Sequence, residues 1–466
     1  MGPVMEYGVT DRLDKWRQIN LGVVTLSNPL KDQVTIKRRG AEMMSALQLL
    51  GISALQGEPM VTDVDSLAAV IAQLKQARVD CLVVVVGSYT SDDTLLELAN
   101  AFPWPLILWA PPEALSPEAF PPFASLVGLT QNAGTLQRRG YRVYSLYGEL
   151  NTSSTAEQLG CLLHAYATVQ ALRQARIGRI GAGCPGMLDT QFDTALLRDQ
   201  LGVEVVDLPI QDFINLYQSL SDDIVAPLVD QAKILDVVSQ VAEADYRNSI
   251  KTYAALRMLA EQNDLTAMAV RCWPELKAQD VVSPCLGLSL LTDQGIPAGC
   301  EGDACGAISM LIAQLITGRP AFFGDFVAID DASDEIQMFH CGAGACSLAE
   351  PGYPVTFKTH SRPTMWKPGI TVEFPVGPGP ATYLRFGLQG HGFRILMEGG
   401  EALRHSPHSR GTTLRFKPRH GGRAVLGGLL AAGAEHHQIV AQGDVSSDLN
   451  LVSELWGITP QKVVDD

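Results

Sequence analysis

The chain has 466 residues and a formal net charge of −15 at pH 7, with 46% hydrophobic and 18% charged residues. Such a length exceeds one ordinary core and suggests about three domains. The acidic balance argues against nucleic acid, whose phosphates demand a basic surface, and no apolar run reaches the roughly 18–20 residues of a membrane helix.

The short basic clusters Lys37-Arg38-Arg39 and Arg138-Arg139 read as solvated helix faces. The opening stretch lacks the basic n-region and apolar h-region of a secretory signal, which points to a cytoplasmic protein. Nine cysteines, an odd number, do not suggest a disulfide framework. The C-x4-C pairs Cys300/Cys305 and Cys341/Cys346 invite a zinc-thiolate site. Their surroundings, rich in Gly and Ala, favour small buried thiols instead.

In chain order, Leu21-Gly-Val-Val-Thr-Leu reads as a buried strand, followed by helices at about 37–50 and 64–77. A strand at 79–87, a helix at 92–101 and the strand Leu106-Ile-Leu-Trp-Ala come next. Strands alternating with helices of this length imply βαβ units and a parallel sheet. The Val run at 83–86 fits a strand covered on both faces. Its end carries Gly87-Ser-Tyr-Thr-Ser-Asp-Asp, where a sheet presents ligand contacts and where Ser91 or Asp92 can equally cap the next helix.

A long helix over 151–174 leads to a second α/β segment, with His164 on its apolar side as a packing residue. Gly181, Gly183 and Gly186 form G-x-G-x-x-G, and Asp207 follows as a dinucleotide fingerprint would ask. The preceding strand is short and basic, however, and Pro185 stands where amides should face a pyrophosphate. A glycine-rich loop presenting Asp189, Gln191 and Asp193 to a cleft is the preferred reading, with an NAD-linked dehydrogenase as the rival. Residues 211–262 are helical in pattern, including Ile234–Arg247 and Ser249–Gln262. A strand then ends in Cys272-Trp-Pro-Glu275, whose glutamate reaches a cleft or lies on the surface.

The densest stretch is 296–326. It reads as a strand ending at Cys300-Glu301, a helix from about Asp303 to Thr317, and a strand ending at Asp325. Ile308, Leu311, Ile312 and Leu315 supply one buried helical face, and Gly318 closes it. A right-handed crossover puts both strands parallel in one sheet, so Glu301 and Asp325 emerge near each other at the ligand edge. Two carboxylates there can bind a divalent cation, perform acid–base work, or both. Asp303 fits a helix cap. From about 327 the pattern becomes short strands between Gly and Pro, including 354–358, 370–374, 381–386, 393–397 and 411–416, closed by a helix at about 445–456. That spacing indicates an antiparallel barrel or sandwich.

The fold expected is α/β: two doubly wound parallel-sheet domains over 1–173 and 174–328, then a β-rich, antiparallel barrel-like domain over 329–466. The block E-G-D-A-C-G-A-x-x-M-L-x-x-x-L-x-T-G-x-x-x-F-x-x-D, from Glu301 to Asp325, resembles the metal-binding segment of L-fucose isomerases, with L-arabinose isomerases as more distant relatives. The two α/β domains and the β-rich third match the plan of those enzymes. The resemblance implies that Glu301 and Asp325 bind manganese and flank the sugar as catalytic groups.

Eight of the nine histidines follow residue 339. His436-His437 precedes the final helix, and the resemblance makes His437 the third metal ligand and His436 a sugar contact. His340 resembles a metal-binding histidine of arabinose isomerases, and is a fourth ligand or a sugar hydrogen-bond donor. Tyr89 is the candidate for an aromatic that covers a neighbouring subunit's site, and Gln191 for a further substrate contact. A Glu/Asp/His set suits Mn²⁺, with Mg²⁺ or Co²⁺ as alternatives.

The implied reaction is aldose–ketose isomerisation of a free sugar through a cis-enediol, in a homo-oligomer, trimer or hexamer, with shared sites. An anionic 6-substituted hexose such as sulfoquinovose is an alternative substrate, and Arg362, Lys367 or the N-terminal Lys/Arg cluster would supply its basic pocket. A non-catalytic sugar-binding protein on the same fold is the rival from another class.

Overall fold

The computed structural model describes residues 19–151, 153–233, 241–362 and 365–465. The N-terminal segment read for a signal, and residues 234–240 of the expected helix Ile234–Arg247, lie outside them. The chain forms two compact bodies that divide between Ala167 and Thr168.

The first body carries a five-stranded parallel sheet: β1 (Leu21–Leu26), β2 (Ala54–Gln56), β3 (Cys81–Val86), β4 (Leu106–Ala110) and β5 (Val143–Tyr147), in the order β2-β1-β3-β4-β5. Every residue of β1, β3 and β4 is buried, as their continuous apolar runs require for strands covered on both faces. Asp32, Asp63 and Ser91 cap the helices that follow them. The basic cluster divides in two. Arg38 is exposed beside Glu42, whereas Arg39 is buried and donates to the Gly87 carbonyl at 2.6 Å and to Ser125 Oγ at 2.9 Å. Arg39 shares the inward face of its helix with Ile36, Gly40 and Met43, so that face decides its environment.

In the second body a four-stranded parallel sheet has β6 (Arg176–Ile180), β7 (Glu204–Leu208), β8 (Ala267–Val270) and β9 (Ala298–Gly299), in the order β7-β6-β8-β9. A nine-stranded mixed sheet follows. Its strands are β10 (Phe322–Asp330), β11 (Glu335–His340), β12 (Thr356–Thr359), β13 (Ile370–Pro375), β14 (Gly379–Gln389), β15 (Gly392–Leu403), β16 (Thr412–Pro418), β17 (His437–Gln442) and β18 (Thr459–Lys462). Their order is β12-β13-β16-β11-β10-β17-β14-β15-β18, and an added β15–β16 pairing closes the six strands from β16 to β15 into an antiparallel ring. Two parallel attachments, β13 on β16 and β18 on β15, make the whole sheet mixed.

One expectation fails here. Glu301 and Asp325 do not leave the same edge of one parallel sheet. β9 belongs to the four-stranded sheet, while β10 lies in the large sheet, antiparallel to β11 and β17. The helix between them, Ala304–Thr317, explains the switch: every residue from Ala304 to Ile316 is buried. A helix apolar on all sides must be covered on all sides. It therefore lies between the two sheets and carries the chain from one to the other.

Candidate active site

Glu301 sits just past β9 in the left-handed region, at φ 58°, followed by Gly302 at φ 74°. A non-glycine residue held there costs about 1–3 kcal/mol, which the surroundings must offset. They do so through the glycine-rich loop. Cys184 donates its backbone N–H to the Glu301 carbonyl at 3.2 Å, and Gly302 donates to the Val270 carbonyl at 3.1 Å. A Cβ on Gly302 would lie 2.0 Å from the Ala182 carbonyl oxygen, so only glycine lets the two loops meet.

The loop thus clamps Glu301, and the features of a dinucleotide site are missing from it. It runs into a single 3₁₀ turn at Leu188–Thr190; the next helix, Thr194–Leu201, is capped by its own Asp193. Asp207 is held bidentately by Arg179 at 2.6 and 3.0 Å. The zinc-thiolate reading fares no better. All nine cysteines are free thiols, Cys300 Sγ lies 3.6 Å from Cys272 rather than beside Cys305, and no metal-capable group among the described residues contains a cysteine.

The other candidate ligands come from the closed ring of strands. β17 begins at His437, whose register partner on β10 is Asp325, and Asp325 pairs on its other side with Phe339, next to His340. A bulge between Phe326 and Ala328 follows Asp325, a device that re-aims side chains at sites. His437 Nε2 lies 3.1 Å from Glu301 Oε2, and its Nδ1 lies 2.9 Å from Asp303 Oδ2. The Phe323 ring packs 4.6 Å from the His437 ring and 5.2 Å from that of His340.

Two sets of ligand atoms result, each within 4.8 Å: Glu301/His340/His437 and Asp325/His436/His437. His437 belongs to both. The structure therefore gathers Glu301, Asp325, His340, His436 and His437. Gln191 is exposed in its loop, where nearby Asp189 accepts from His436 N at 3.0 Å and pairs with His436 Nδ1 at 2.6 Å. Glu275 is tied to Arg271. Tyr89 lies in the first body, 38% exposed, in the turn that also supplies the Ser91 cap.

Sequence reasoning missed what lies behind the ligands. Asp303 caps its helix, accepting from Gly306 N at 2.8 Å, but its carboxylate also takes both terminal nitrogens of Arg385, at 2.8 and 3.1 Å. Arg385 reaches Glu435 as well, at 3.4 Å, and both Asp303 and Arg385 are wholly buried. A carboxylate behind a histidine fixes its tautomer and ring angle at metal sites. One signal pointed to this: an arginine inside the apolar strand Ala381-Thr-Tyr-Leu-Arg-Phe needs a buried anion.

The charge states follow from these contacts. Burial pushes Glu301 up, yet hydrogen bonds from His436 and His437 prevail and hold it well below the usual carboxylate range. Asp303 is likewise held down against burial, chiefly by Arg385 and then by His437. Burial lowers His437, but its bonds to Asp303 and Glu301 raise it to about 9. His340 is pushed down by burial and stays neutral. Its Nδ1 and Asp325 Oδ1 are buried without a partner among the described residues. Two unpartnered atoms beside ionised carboxylates fit a divalent cation, whose binding would release the proton that His437 otherwise carries.

No family model matches the sequence. The chain is 26% identical to the sulfoquinovose isomerase of Alkalicoccus urumqiensis over 416 residues, covering 88% of this chain and 92% of that protein. It is 26% identical to the sulfoquinovose isomerase of Priestia megaterium over 405 residues, 84% of this chain and 87% of the relative. That of Clostridium sp. (strain MSTE9) is 27% identical over 368 residues, 77% and 80% of the two chains. A solved ABC transporter solute-binding protein from Burkholderia multivorans aligns at 12% identity and a TM-score of 0.17 over 65% of this chain and 95% of its own, too slight a likeness to bear on the fold. No helix among the described residues is long and apolar enough to cross a membrane. By its relatives the chain is an enzyme, an aldose–ketose isomerase.

Proposed function

We propose that this enzyme is a divalent-metal-dependent isomerase that interconverts sulfoquinovose, an aldohexose with a sulfonate at C6, and the corresponding 2-ketose. The reading rests on one observation above all: two ligand sets converge on His437 while Asp325 Oδ1 and His340 Nδ1 lie buried and unpartnered. The names of the relatives, matched over most of their length, support the substrate. The Glu301–Asp325 block supports the wider likeness to L-fucose isomerases. Glu301, Asp325 and His437 would hold the cation, with His340 as a fourth ligand or a donor to the sugar. Manganese suits that set best, ahead of magnesium and cobalt.

When bound, the cation polarises the sugar carbonyl and acidifies the neighbouring hydroxyl. The remaining work falls to the chain. One carboxylate takes the proton from C2, leaving a cis-enediol, and that proton returns at C1. The other moves the hydroxyl proton from O2 to O1. Transfers at carbon and at oxygen need separately placed groups, and Glu301 and Asp325 stand on different elements on either side of His437. His436, tethered by Asp189, is suited to contact the sugar. We further propose a cytoplasmic homo-oligomer, trimer or hexamer, in which Tyr89 of one subunit covers the site of the next.

The test is metal analysis with an aldose panel, L-fucose and L-arabinose included, in the presence of EDTA or added Mn²⁺. Sulfoquinovose should give a ketose, with C2 deuterium exchange, in a reaction that EDTA stops and Mn²⁺ restores. Glu301→Gln or Asp325→Asn should lower kcat by about 10²–10⁴-fold. Turnover of L-fucose in place of sulfoquinovose would favour the fucose-type reading. No ketose from any sugar with metal bound would sink both.

A further inference from the structure

Beside the ligand cluster lies a cavity of about 260 Å³ whose donors the isomerisation itself does not use. Phe339 and Cys341, the two neighbours of His340, form one wall, and His360, Arg362 and Arg410 line the rest. Val327 follows Asp325 on β10 by two residues and also lines the cavity, so β10 and β11 both carry the cavity and candidate ligands.

The polar groups of the cavity are set as donors. His360 is 5% exposed, and its Nδ1 accepts the backbone N–H of Arg362 at 3.1 Å. That bond puts the ring proton of the neutral imidazole on Nε2, a buried atom with no partner among the described residues. The ring is neutral at pH 7, because burial and then the charges of Arg362 and Arg410 bring its pKa down to about 4. Arg410 gives Nε to Glu373 at 2.5 Å and Nη2 to the Thr359 carbonyl at 3.0 Å, leaving Nη1. Glu373 is the one carboxylate in the lining, and both its oxygens are engaged: Oε1 by Arg410 and by Thr371 Oγ1 at 3.1 Å, Oε2 by Lys358 at 3.1 Å. Arg362 is an exposed cation with no side-chain partner among the described residues. Lys367, the other cation considered for such a pocket, is bound to Asp280 at 2.5 Å.

We propose that this cavity is the subsite for an acidic group at the far end of the sugar, a sulfonate on C6, held by Arg362 and Arg410. The inference rests on the sulfoquinovose reading and adds where and how the anion is recognised. Lys358, Arg410 and Arg362 together outnumber the single carboxylate Glu373, so the cavity is cationic and takes an acidic group. Phe339 lies directly across from Asp325 in the β10–β11 register, and directly opposite residues share a sheet face, so the cavity lies on the Asp325 side of the sheet.

Titration calorimetry on the full chain loaded with Mn²⁺ tests this, comparing sulfoquinovose with its neutral 6-deoxy counterpart, D-quinovose, and with glucose 6-phosphate. The wild type should bind sulfoquinovose most tightly. Arg362→Gln, at an exposed position where folding is not at stake, should weaken sulfoquinovose about 10–100-fold and leave D-quinovose within about twofold. Arg362→Lys should recover part of the loss. Equal losses for both sugars, no loss for either, or a wild type that does not prefer sulfoquinovose would overturn the subsite. Binding that depends on Arg362 without ketose formation would uphold the subsite and fell the isomerase reading. Equal turnover of both sugars would do the reverse.

Discussion

Asp303 serves two ends with one carboxylate. Through Oδ1 it caps the buried helix, and through Oδ2 it fixes Nδ1 of His437, while Arg385 neutralises it. Removing the charge but keeping the shape separates these tasks. Asp303→Asn retains a capping oxygen but deprives buried Arg385 of its anion, so it should cost about 3–5 kcal/mol in urea unfolding while far-UV circular dichroism of the folded protein keeps its helix content. Manganese affinity, measured by competition with a chelator, should fall by about 10–100-fold, because a histidine without its carboxylate is a poorer and less fixed ligand. Wild-type affinity in this variant would deny Asp303 the positioning role. The carboxylate's dual use also explains why sequence reasoning saw only the cap: a cap is a local pattern, whereas Arg385 lies 82 residues away.

The helix Ala304–Thr317 is the element on which the site turns. Its apolar spacing, its Asp303 cap and its Gly318 terminus were all legible. What the pattern did not disclose was its second covered face, since near-uniform apolarity hides which neighbours a helix has. Gly306 marks how closely they approach. A Cβ there would stand 2.6 Å from both Asp303 Oδ2 and Phe323 Cε2, and 2.9 Å from Arg385 Nη1. These side chains lock one another, so none can yield cheaply. Alanine is the better helix former by about 1 kcal/mol. Gly306→Ala should nevertheless destabilise the protein by about 1–3 kcal/mol in urea unfolding, the cost of overpacking. A stabilised variant would mean that the cluster is looser than its distances suggest.

At the scale of the whole molecule, the ring of six antiparallel strands brings together residues that the sequence scatters. Asp325, His340 and His437 stand on β10, β11 and β17, adjacent in the ring although β17 comes nearly a hundred residues after β11. Tyr89 belongs to the other compact body, and its proposed role reaches across subunits. Mixing and reassembling Tyr89→Ala with Glu301→Gln protein tests it. Each variant alone should be impaired, and hybrids should regain activity because some sites then receive an intact Tyr89 and an intact Glu301 from different chains. No recovery would show that Tyr89 does not complete a neighbour's site.

The sequence by itself determined the local grammar: buried valine strands, capped helices, the change to short strands after residue 327, and the carboxylates and histidines able to hold a metal. Those follow from periodicity, caps and donor chemistry, which act over a few residues. The tertiary structure decided the rest. It assigned β9 and β10 to different sheets, made the glycine-rich loop a clamp on Glu301, buried Arg385 against Asp303, and opened the Arg362 cavity beside His340. Each of these depends on which distant surface covers a given face, and a one-dimensional pattern records that a face is apolar or charged without recording what meets it.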